Sequence, residues 1–464
     1  MILCTPWGIG ESIRSGRWGL FVLAQSVELL WGGHFNLPGF NVLLSLIIMG
    51  ITAALLVHVL EIRKTSLCIC VSAITVTIPA FATLMFFAYN VQYYALAIFL
   101  MVAAVYFLKK RGLLCFFAGA FCGCLSLSIY QAYLPFVAVL LLLTLIPKCL
   151  DHNTTPKEIL LTAVKYGCAL VVAYVLYTIF LHLLLAIFSM ELSNYQSINT
   201  MGTFHPDGIW KAIRDVLLLP VSKFYYGFTS TPIICGGIAV CYLCVVVSIF
   251  GGKKLPLWKA VLFGLLLVLL MISANATHIL AGDSVLYTRM TLGLIAVFYL
   301  PIVLLEQISF RKENLRSLLL TVLVATVLLC SANYAWQSNG NYMTVQYGNL
   351  KAENYYVTLF TRIRSAEGYR EELPIVYVGK NITDDALYDN WLQTPFKYTA
   401  IMGVEAQLNQ YSRDSYIKNY LGYTWRQITD EEAQKYEDQI SEMRCYPDDG
   451  SIIVTEDMVL VRLE

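Results

Sequence analysis

The sequence has few charged residues: Asp, Glu, Lys and Arg make up only 14% of its 464 residues, while hydrophobic residues make up 58%. About a quarter of the residues of a typical soluble domain are charged. The mean hydropathy of +0.64 therefore predicts a membrane protein. The net charge of +1 excludes a polybasic protein that binds nucleic acid.

Signals of several other protein classes are also missing. The first residues, MILCTPWGIGESIR, have neither the basic start nor the apolar core of a cleavable signal peptide. The sequence contains no glycine-rich loop of the kind that binds nucleotide phosphates. Most of the 13 cysteines lie inside apolar runs, which predicts small hydrophobic side chains rather than a zinc site or a disulfide framework.

Long apolar runs predict a mainly α fold, a polytopic helical membrane bundle. A helix needs about 20 apolar residues to cross the hydrocarbon core. Ten stretches reach or approach this length, near residues 40–60, 67–87, 91–108, 112–129, 133–147, 166–189, 231–250, 257–277, 287–306 and 317–334. The break at Tyr130, Gln131 and Pro135 leaves one short segment, so a re-entrant hairpin is the alternative for that pair.

The basic residues of the loops predict the orientation of the chain. Fourteen of them occupy every second loop: Arg63, Lys64, Lys109, Lys110, Arg111, Lys148, Lys157, Lys165, Lys253, Lys254, Lys259, Arg311, Lys312 and Arg316. By the positive-inside rule these loops are cytoplasmic. The loops at 190–230 and 278–286 are then extracytoplasmic, in a multi-pass protein of the bacterial plasma membrane.

The charge changes sign along the chain, with a net charge of +9 over residues 1–334 and −8 over residues 335–464. We therefore predict three parts: an extracytoplasmic N-terminal loop at 1–38, a transmembrane helical domain at 39–335, and a small extracytoplasmic α/β domain at 336–464. The last part keeps aromatic residues and clear turn signals, which disordered chains lack.

Three patterns in the tail predict its local structure. The segment PIVYVG at 374–379 is typical of a short buried strand. Thr429 and Glu432 form the capping-box pattern of a helix that continues to Met443. The final segment SIIVTEDMVLVRL is typical of a hairpin that turns at its Glu-Asp pair.

The outer loops of the membrane half carry six basic residues, where positive charge is disfavoured: Arg14, Arg17, Lys211, Arg214, Lys223 and Arg289. Four of the six are Arg, compared with four of the fourteen inner ones. A guanidinium binds two phosphate oxygens at once, so we predict that Arg14, Arg17 and Arg289 bind a phosphate. The alternative is that they pair with nearby carboxylates or extend to lipid headgroups.

Polar residues at the outer ends of the predicted spans form a second group: Asn90, Gln92, Tyr130, Gln131, His278 and Asp283. Polar groups at a membrane edge are costly unless they are paired or used. Amides bind sugar hydroxyls and aromatic rings stack on sugar faces, so we predict that this group binds a sugar or its acceptor. The alternative is an interfacial aromatic belt without a binding function.

The segment FHPDGIWKAIRDVLLLP in the 190–230 loop predicts an amphipathic helix with Asp207 as its N-cap. One face is apolar: Ile209, Trp210, Ile213, Val216 and Leu217. The opposite face is polar: Lys211, Arg214 and Asp215. We expect such a helix to lie at the membrane surface.

The order of SGRWGL, LSLSIYQAYLPFVAVLLLL and, in the tail, NYLGYTW resembles the bacterial type II Gtr glucosyltransferases, membrane proteins that convert serotype. The resemblance covers most of the chain. It implies a GT-C fold and transfer of a sugar, expected to be glucose, from an undecaprenyl-phosphate donor to a surface polysaccharide or glycolipid on the outer face. A divalent cation, Mg²⁺ or Mn²⁺, is an optional cofactor of such transfer. Membrane lipid is a further expected partner, and nucleic acid is not.

The resemblance also implies a catalytic carboxylate and shows a difference. Relatives carry an acidic motif just before the segment that matches TPWGIGESIRSGRWGL, after an additional N-terminal helix. This chain lacks that motif, and Glu11 is the nearest acid left in the loop. We predict Glu11 as a replacement general base and expect the chain to be truncated at its start.

Two other functions stay open. A lipid-linked sugar flippase or transporter would be expected to place charged side chains at mid-membrane depth on several helices. The spans contain few ionisable residues, namely His58, Glu61, Lys165 and His182. A polysaccharide polymerase is favoured only by the large outer loop with its arginines and aromatic residues.

Overall fold

The computed structural model describes residues 9–32, 37–151, 153–193, 205–222, 228–229, 231–252, 255–280, 286–382 and 410–463. The chain divides into two compact units, within residues 6–339 and 340–464. The helices up to residue 364 are α1 (Ile9–Arg14), α2 (Trp18–Trp31), α3 (Pro38–Val59), α4 (Thr65–Thr77), α5 (Pro79–Ala82), α6 (Val91–Lys109), α7 (Leu113–Ile129), α8 (Leu134–Leu150), α9 (Pro156–Ile187), α10 (Asp207–Leu218), α11 (Pro232–Gly251), α12 (Leu257–Ala274), α13 (Thr277–Leu280), α14 (Ala296–Gln307) and α15 (Glu313–Arg364). The prediction of a mainly helical protein is confirmed.

Seven of the described helical segments are long and apolar enough to cross a membrane: Pro38–Val59, Val91–Lys109, Gln131–Leu150, Pro156–Ile187, Pro232–Gly251, Leu257–Ala274 and Glu313–Arg364. An eighth is a bent pair, in which α4 is followed by Pro79–Phe87 at an angle of 40°. These eight segments correspond to eight of the ten predicted spans.

The other two predicted spans form shorter helices. The stretch at 112–129 is the 17-residue helix α7, which ends at Tyr130 in an extended conformation. The stretch at 287–306 begins as two 3₁₀ turns, and only its second half is α-helical. An extended residue and 3₁₀ turns both interrupt the regular α-helical hydrogen bonds, which a long apolar sequence alone does not reveal. The total of ten spans stays a prediction.

Small residues hold the helices of the first unit close together. A Cβ atom on Gly119 of α7 would lie 2.7 Å from Leu108 of α6. The Ser126 hydroxyl of α7 donates a hydrogen bond to the carbonyl of Ala97 in α6 at 2.7 Å. Such contacts are typical of helices packed inside a bilayer, where small residues let the backbones approach.

The outward faces of several helices are apolar and exposed. On α3 this face includes Leu43, Ile47 and Ile51, which recur at helical spacing. On α9 it includes Val171, Val175 and Ile179. A soluble protein rarely exposes such continuous apolar surface, so these faces support the assignment of the first unit to a membrane.

The second unit contains a four-stranded sheet in the order β2-β1-β4-β3, with β1 (Ile375–Val378), β2 (Trp425–Gln427), β3 (Ile452–Val454) and β4 (Val459–Arg462). Strand β1 pairs in parallel with β2 and β4, while β3 and β4 form an antiparallel pair. The predicted strand at 374–379 and the terminal hairpin are therefore confirmed.

The other α-helices among the described residues of the second unit are α16 (Gln410–Tyr416), α17 (Asp430–Lys435) and α18 (Glu437–Glu442), and a π-helical turn, Ile417–Leu421, follows α16. The capping box at the start of α17 is present, since Thr429 accepts a hydrogen bond from the backbone of Glu432 and the Glu432 side chain accepts one from Thr429. The prediction of one helix that continues to Met443 is wrong in detail. Tyr436 separates α17 from α18, and its ring is buried against the sheet with Val376 and Leu460.

Candidate functional site

Arg17 lies in the turn between α1 and α2, where its backbone N–H donates a hydrogen bond to the carbonyl of Ser12 at 2.8 Å. Its guanidinium carbon lies 5.1 Å from the centre of the Tyr130 ring. The Nε atom of Arg17 is buried and has no hydrogen-bond partner among the described residues. A buried donor without a partner is costly, so it marks a position where a ligand could be bound.

A network of hydrogen bonds positions this turn. The amide nitrogen of Gln131 donates to the carbonyl of Gly16 at 2.8 Å, and the Tyr177 hydroxyl donates to the same carbonyl at 2.9 Å. Gly16 has a φ of +71°, and a Cβ atom there would lie 2.6 Å from the Gln131 amide nitrogen. Glycine is therefore required at this position. The predicted sugar-binding residue Gln131 uses its nitrogen to hold the backbone next to Arg17.

Arg289 reaches the same tyrosine from a distant part of the sequence. It lies in the 3₁₀ turn Thr288–Met290, and its guanidinium carbon is 4.3 Å from the ring centre of Tyr287 and 5.1 Å from that of Phe87. Its side chain is hydrogen-bonded to Tyr130. The structure thus brings two of the predicted phosphate ligands, Arg17 and Arg289, into contact with one residue, Tyr130.

Three tyrosines pack edge to face beneath these arginines. The ring centres of Tyr94 and Tyr130 are 5.2 Å apart, and those of Tyr130 and Tyr133 are 5.0 Å apart. Tyr133 is fully buried, and its hydroxyl has no partner in the described part of the chain. We call Arg17, Arg289, Tyr94, Tyr130 and Tyr133 the arginine–tyrosine cluster. Two cations beside unpartnered hydrogen-bonding groups are suited to bind an anion.

Asn90 and Gln92 lie at the start of α6, the helix that also carries Tyr94. Asn90 is the N-cap residue, but its side chain makes no capping hydrogen bond. Gln92 is buried, and its amide nitrogen is 3.4 Å from the carbonyl of Tyr89. Its amide oxygen has no partner within the described ranges. These two predicted sugar ligands therefore lie near the cluster along α6 and retain hydrogen-bonding capacity.

Glu11 and Arg14 lie on the exposed side of α1. Their side chains form an ion pair of 3.4 Å, with exposed fractions of 61% and 46%. Arg14 also lies 3.4 Å from the carbonyl of Glu191. Exposed pairs of this kind contribute little to stability. Arg14 therefore has a carboxylate and a carbonyl as partners, whereas Arg17 and Arg289 contact aromatic rings. The role of Glu11 as a general base stays a prediction.

His278 is paired with a residue that the sequence analysis placed on a polar outer face. Its Nε2 atom lies 3.3 Å from Oδ2 of Asp215, and the two side chains are only 4% and 10% exposed. Arg214 contacts the other carboxylate oxygen of Asp215 at 2.7 Å. Burial lowers the pKa of His278 to about 4, and the charge of Lys211 acts in the same direction while Asp215 opposes it. His278 is therefore neutral at pH 7.

The face of α10 that is buried in the protein is not the apolar face that is expected at the membrane surface. It consists of Gly208, Ala212, Asp215 and Val216. A Cβ atom on Gly208 would lie 2.4 Å from the carbonyl oxygen of His278, so the absence of a side chain allows α10 and α13 to meet. Trp210, on the apolar face that is expected at the membrane surface, is 69% exposed. The N-cap is Pro206, one residue before the predicted Asp207.

One known family matches a stretch of the chain that contains Arg17, Tyr130 and Arg289. The profile of the family described as Glucosyl transferase GtrII matches residues 5–305. The chain belongs to this family. The resemblance noted in the sequence is therefore confirmed, and membership makes the protein a membrane glycosyltransferase. No curated protein and no solved structure matches the chain.

The GtrII match includes an apolar cavity of about 260 Å³ in the first unit. It lies between α10, α11, α12 and α14 and is lined by Val216, Leu217, Tyr242, Val245, Val246, Leu267, Leu270, Met271, Ala274, Ala296, Val297 and Leu300. Because α14 directly follows the turns that hold Arg289, the cavity and the arginine–tyrosine cluster are built on neighbouring segments.

Two expectations about the site have no geometry to support them. The described residues contain no group of three or more His, Cys, Asp or Glu side chains that could hold a metal ion, so the optional divalent cation has no ligand set here. Asp283 lies outside the described residues. Its predicted role in binding sugar or acceptor stays a prediction.

Proposed function

We propose that the protein transfers a glucosyl group from a polyprenyl-phosphate donor to a surface polysaccharide or glycolipid on the outer face of the plasma membrane, as a GT-C type enzyme. The observation that supports this proposal is the approach of Arg17 and Arg289 to Tyr130 from distant parts of the sequence. Family membership supplies the transfer reaction, and the cluster supplies a place for the donor phosphate.

Two arginines suit the leaving group of this reaction. The bond between the sugar C1 and the phosphate oxygen breaks as the acceptor oxygen bonds to C1, and a general base takes the acceptor's proton. Negative charge on the phosphate increases in the transition state. Guanidinium groups that are already fixed beside the phosphate stabilise the transition state more than they stabilise the bound donor. This difference lowers the activation free energy of transfer.

The surroundings of the cluster suit the other parts of the donor. The apolar cavity beside α10 and α14 has the lining that an isoprenoid chain requires. The unpartnered amide oxygen of Gln92 can accept a hydrogen bond from a sugar hydroxyl. The rings of Tyr94 and Tyr130 offer faces of the kind on which sugars stack.

Two carboxylates are candidates for the general base. Glu11 is exposed, and its ion pair with Arg14 is weak enough to break when an acceptor binds. Asp215 is buried and held by His278 and Arg214, which fixes its orientation but stabilises its negative charge. A base must reach the acceptor hydroxyl, so we retain Glu11 as the first candidate.

A flippase or transporter is less well supported. Two of the few ionisable groups of the spans, Glu61 and Lys165, have local partners at helix ends. Glu61 pairs with Lys109 at 2.7 Å, and Lys165 donates to the carbonyls of Leu108 and Lys110. These contacts fasten helices together and do not form a polar path at mid-depth.

The proposal is tested by a transfer assay with polyprenyl-phosphate glucose as donor. We expect Arg17→Lys and Arg289→Lys each to reduce transfer by about 10- to 100-fold, because an ammonium keeps the charge but cannot form the bidentate contact. Arg111→Lys, an exposed residue after α6, is the matched control and should retain activity. Wild-type turnover in both Lys variants would contradict the phosphate role.

A further inference from the structure

A second cavity, of about 340 Å³, lies at the opposite end of the same helices. Helix α8 begins next to Tyr130 and ends at Leu150, which lines this cavity, and α14 begins after Arg289 and ends at Gln307, which also lines it. At about 1.5 Å per residue these helices separate the two sites by roughly 18–25 Å. The second cavity is therefore distinct from the proposed donor site.

The lining of this cavity is divided between apolar and polar groups. The apolar part is Leu150, Ile249, Phe250, Leu255, Ala260, Phe263 and Ile308. The polar part comprises Ser248, Gln307, Ser309 and Arg311. Phe250 is 78% exposed at the end of α11, a helix that is long and apolar enough to cross a membrane. A ligand that fills the cavity must therefore be apolar on one side and polar on the other.

Backbone contacts hold the polar wall in place. Gly252 and Phe310 form an antiparallel bridge, and the Arg311 N–H donates to the carbonyl of Gly251 at 3.0 Å. A Cβ atom on Gly252 would lie 3.0 Å from a methyl group of Ile308. The chain after α14 is thus fastened to the end of α11, which fixes the position of the Arg311 backbone at the cavity.

Two side chains of the wall have unused binding capacity. Ser248 is completely buried, and its hydroxyl has no hydrogen-bond partner in the described part of the chain. Arg311 is exposed, and no described carboxylate pairs with it. A second positive group, the buried ammonium of Lys259, lies next in sequence to the lining residue Ala260 and donates to the carbonyl of Asp151. The cavity therefore has a positive polar side.

We propose that this cavity binds an anionic phospholipid from the leaflet that the basic loops face. The headgroup phosphate would lie at Arg311, with the Ser248 hydroxyl as a further donor, and an acyl chain would lie along Phe250 and Phe263. Basic pockets between membrane helices bind anionic headgroups by this combination of charge and apolar surface. A free phosphate would leave the apolar half of the cavity unfilled.

The test measures binding of phosphatidylglycerol and phosphatidylcholine, both with short chains, to the delipidated full chain by native mass spectrometry. We expect phosphatidylglycerol to bind at least about fivefold more tightly, since one basic residue at a membrane surface contributes about this factor. Arg311→Gln should remove most of this preference, and Ser248→Ala should reduce it. Lys157→Gln, an exposed position on the same predicted membrane side, should retain it.

Three results would overturn the proposal: equal binding of the two lipids to the wild type, equal loss of preference in the Lys157 and Arg311 variants, or competition by glycerol phosphate as strong as by phosphatidylglycerol. The last result would assign the cavity to a soluble anion. Melting temperatures of the purified variants show whether each is folded. If Arg311→Gln is unstable, the smaller change Ser248→Ala decides the outcome.

Discussion

The two ends of the membrane unit both hold cations, but their contacts differ. At the end with the basic loops, cations bind backbone carbonyls where helices finish: Lys109 at the end of α3, Lys165 at the end of α6 and Arg316 at the end of α14. The last carbonyls of a helix lack partners within the helix and carry partial negative charge. These cations therefore stabilise the fold.

At the other end, two arginines contact aromatic rings, while Arg14 pairs with Glu11. Arg17 lies over Tyr130, and Arg289 lies over Phe87 and Tyr287. A ring attracts a cation but does not neutralise it, and the buried Nε atom of Arg17 has no hydrogen-bond partner among the described residues. The same residue types thus support the fold at one end and, in our proposal, bind the substrate at the other.

Among the substitutions that test this difference between the two ends, we expect the largest effect from changing Gly16, the glycine that positions Arg17. Gly16→Ala adds a Cβ atom 2.6 Å from the Gln131 amide nitrogen and 2.8 Å from the Tyr177 hydroxyl at a φ of +71°. These two groups must then move, and the turn that positions Arg17 loses the hydrogen bonds that hold it. We expect transfer to fall by at least about tenfold, the effect of roughly 1.4 kcal/mol. Gly32→Ala is the control, because Gly32 has a φ of +74° but no atom within 4 Å of the added carbon. Equal losses in both variants would show that backbone strain alone explains the effect.

A smaller effect is expected when the pH is lowered, on the stability of the contact between α10 and α13. Because the pKa of His278 in the folded protein is about 4, below its usual 6.5, the unfolded state binds a proton first as the pH falls. Stability that is present above about pH 6.5 should be lost progressively down to about pH 4, by up to about 3 kcal/mol.

Thermal unfolding of the purified protein between pH 7.5 and pH 4 measures this loss. His278→Gln should flatten the dependence, while His182→Gln, an exposed residue of α9, should leave it unchanged. A dependence that is identical in the His278 variant would assign it to other groups.

The smallest effect is expected at the basic end. Lys109→Met removes the hydrogen bond to the Val59 carbonyl at 2.6 Å and the ion pair with Glu61. We expect a decrease in the free energy of unfolding of about 1–2 kcal/mol, with no change in donor affinity. Lys157→Met, whose exposed side chain has no hydrogen bond in the described structure, should change neither quantity. A weaker affinity for the donor in the Lys109 variant would contradict the claim that cations at the basic end stabilise the fold without binding the donor.

Much of the fold was predictable from the sequence because its signals are local. Apolar runs predicted eight of the segments that are suited to span a membrane, and the capping box at Thr429 and the terminal hairpin follow from a few adjacent residues. The sequence also predicted that Arg17 and Arg289 share a binding site, because positive charge is disfavoured in the outer loops unless it has a partner.

The details of the site depend on contacts between distant segments, which one sequence does not specify. Gln131 was predicted to bind sugar, but its nitrogen binds the carbonyl of Gly16. Asp215 was assigned to the polar face of α10, opposite the apolar face that was expected at the membrane surface. The helix instead packs through Gly208, Ala212 and Asp215. Their spacing of four and three residues was the signal that could have revealed this face.

The central claim is that the arginine–tyrosine cluster binds the phosphate of the lipid donor. It is tested most directly by the affinity of the purified protein for undecaprenyl phosphate and for undecaprenol, which has the same chain without the phosphate. We expect the wild type to prefer the phosphate strongly, and Arg17→Lys and Arg289→Lys to lose about 10- to 100-fold of that preference while binding undecaprenol as before. An unchanged preference in both variants would contradict the claim.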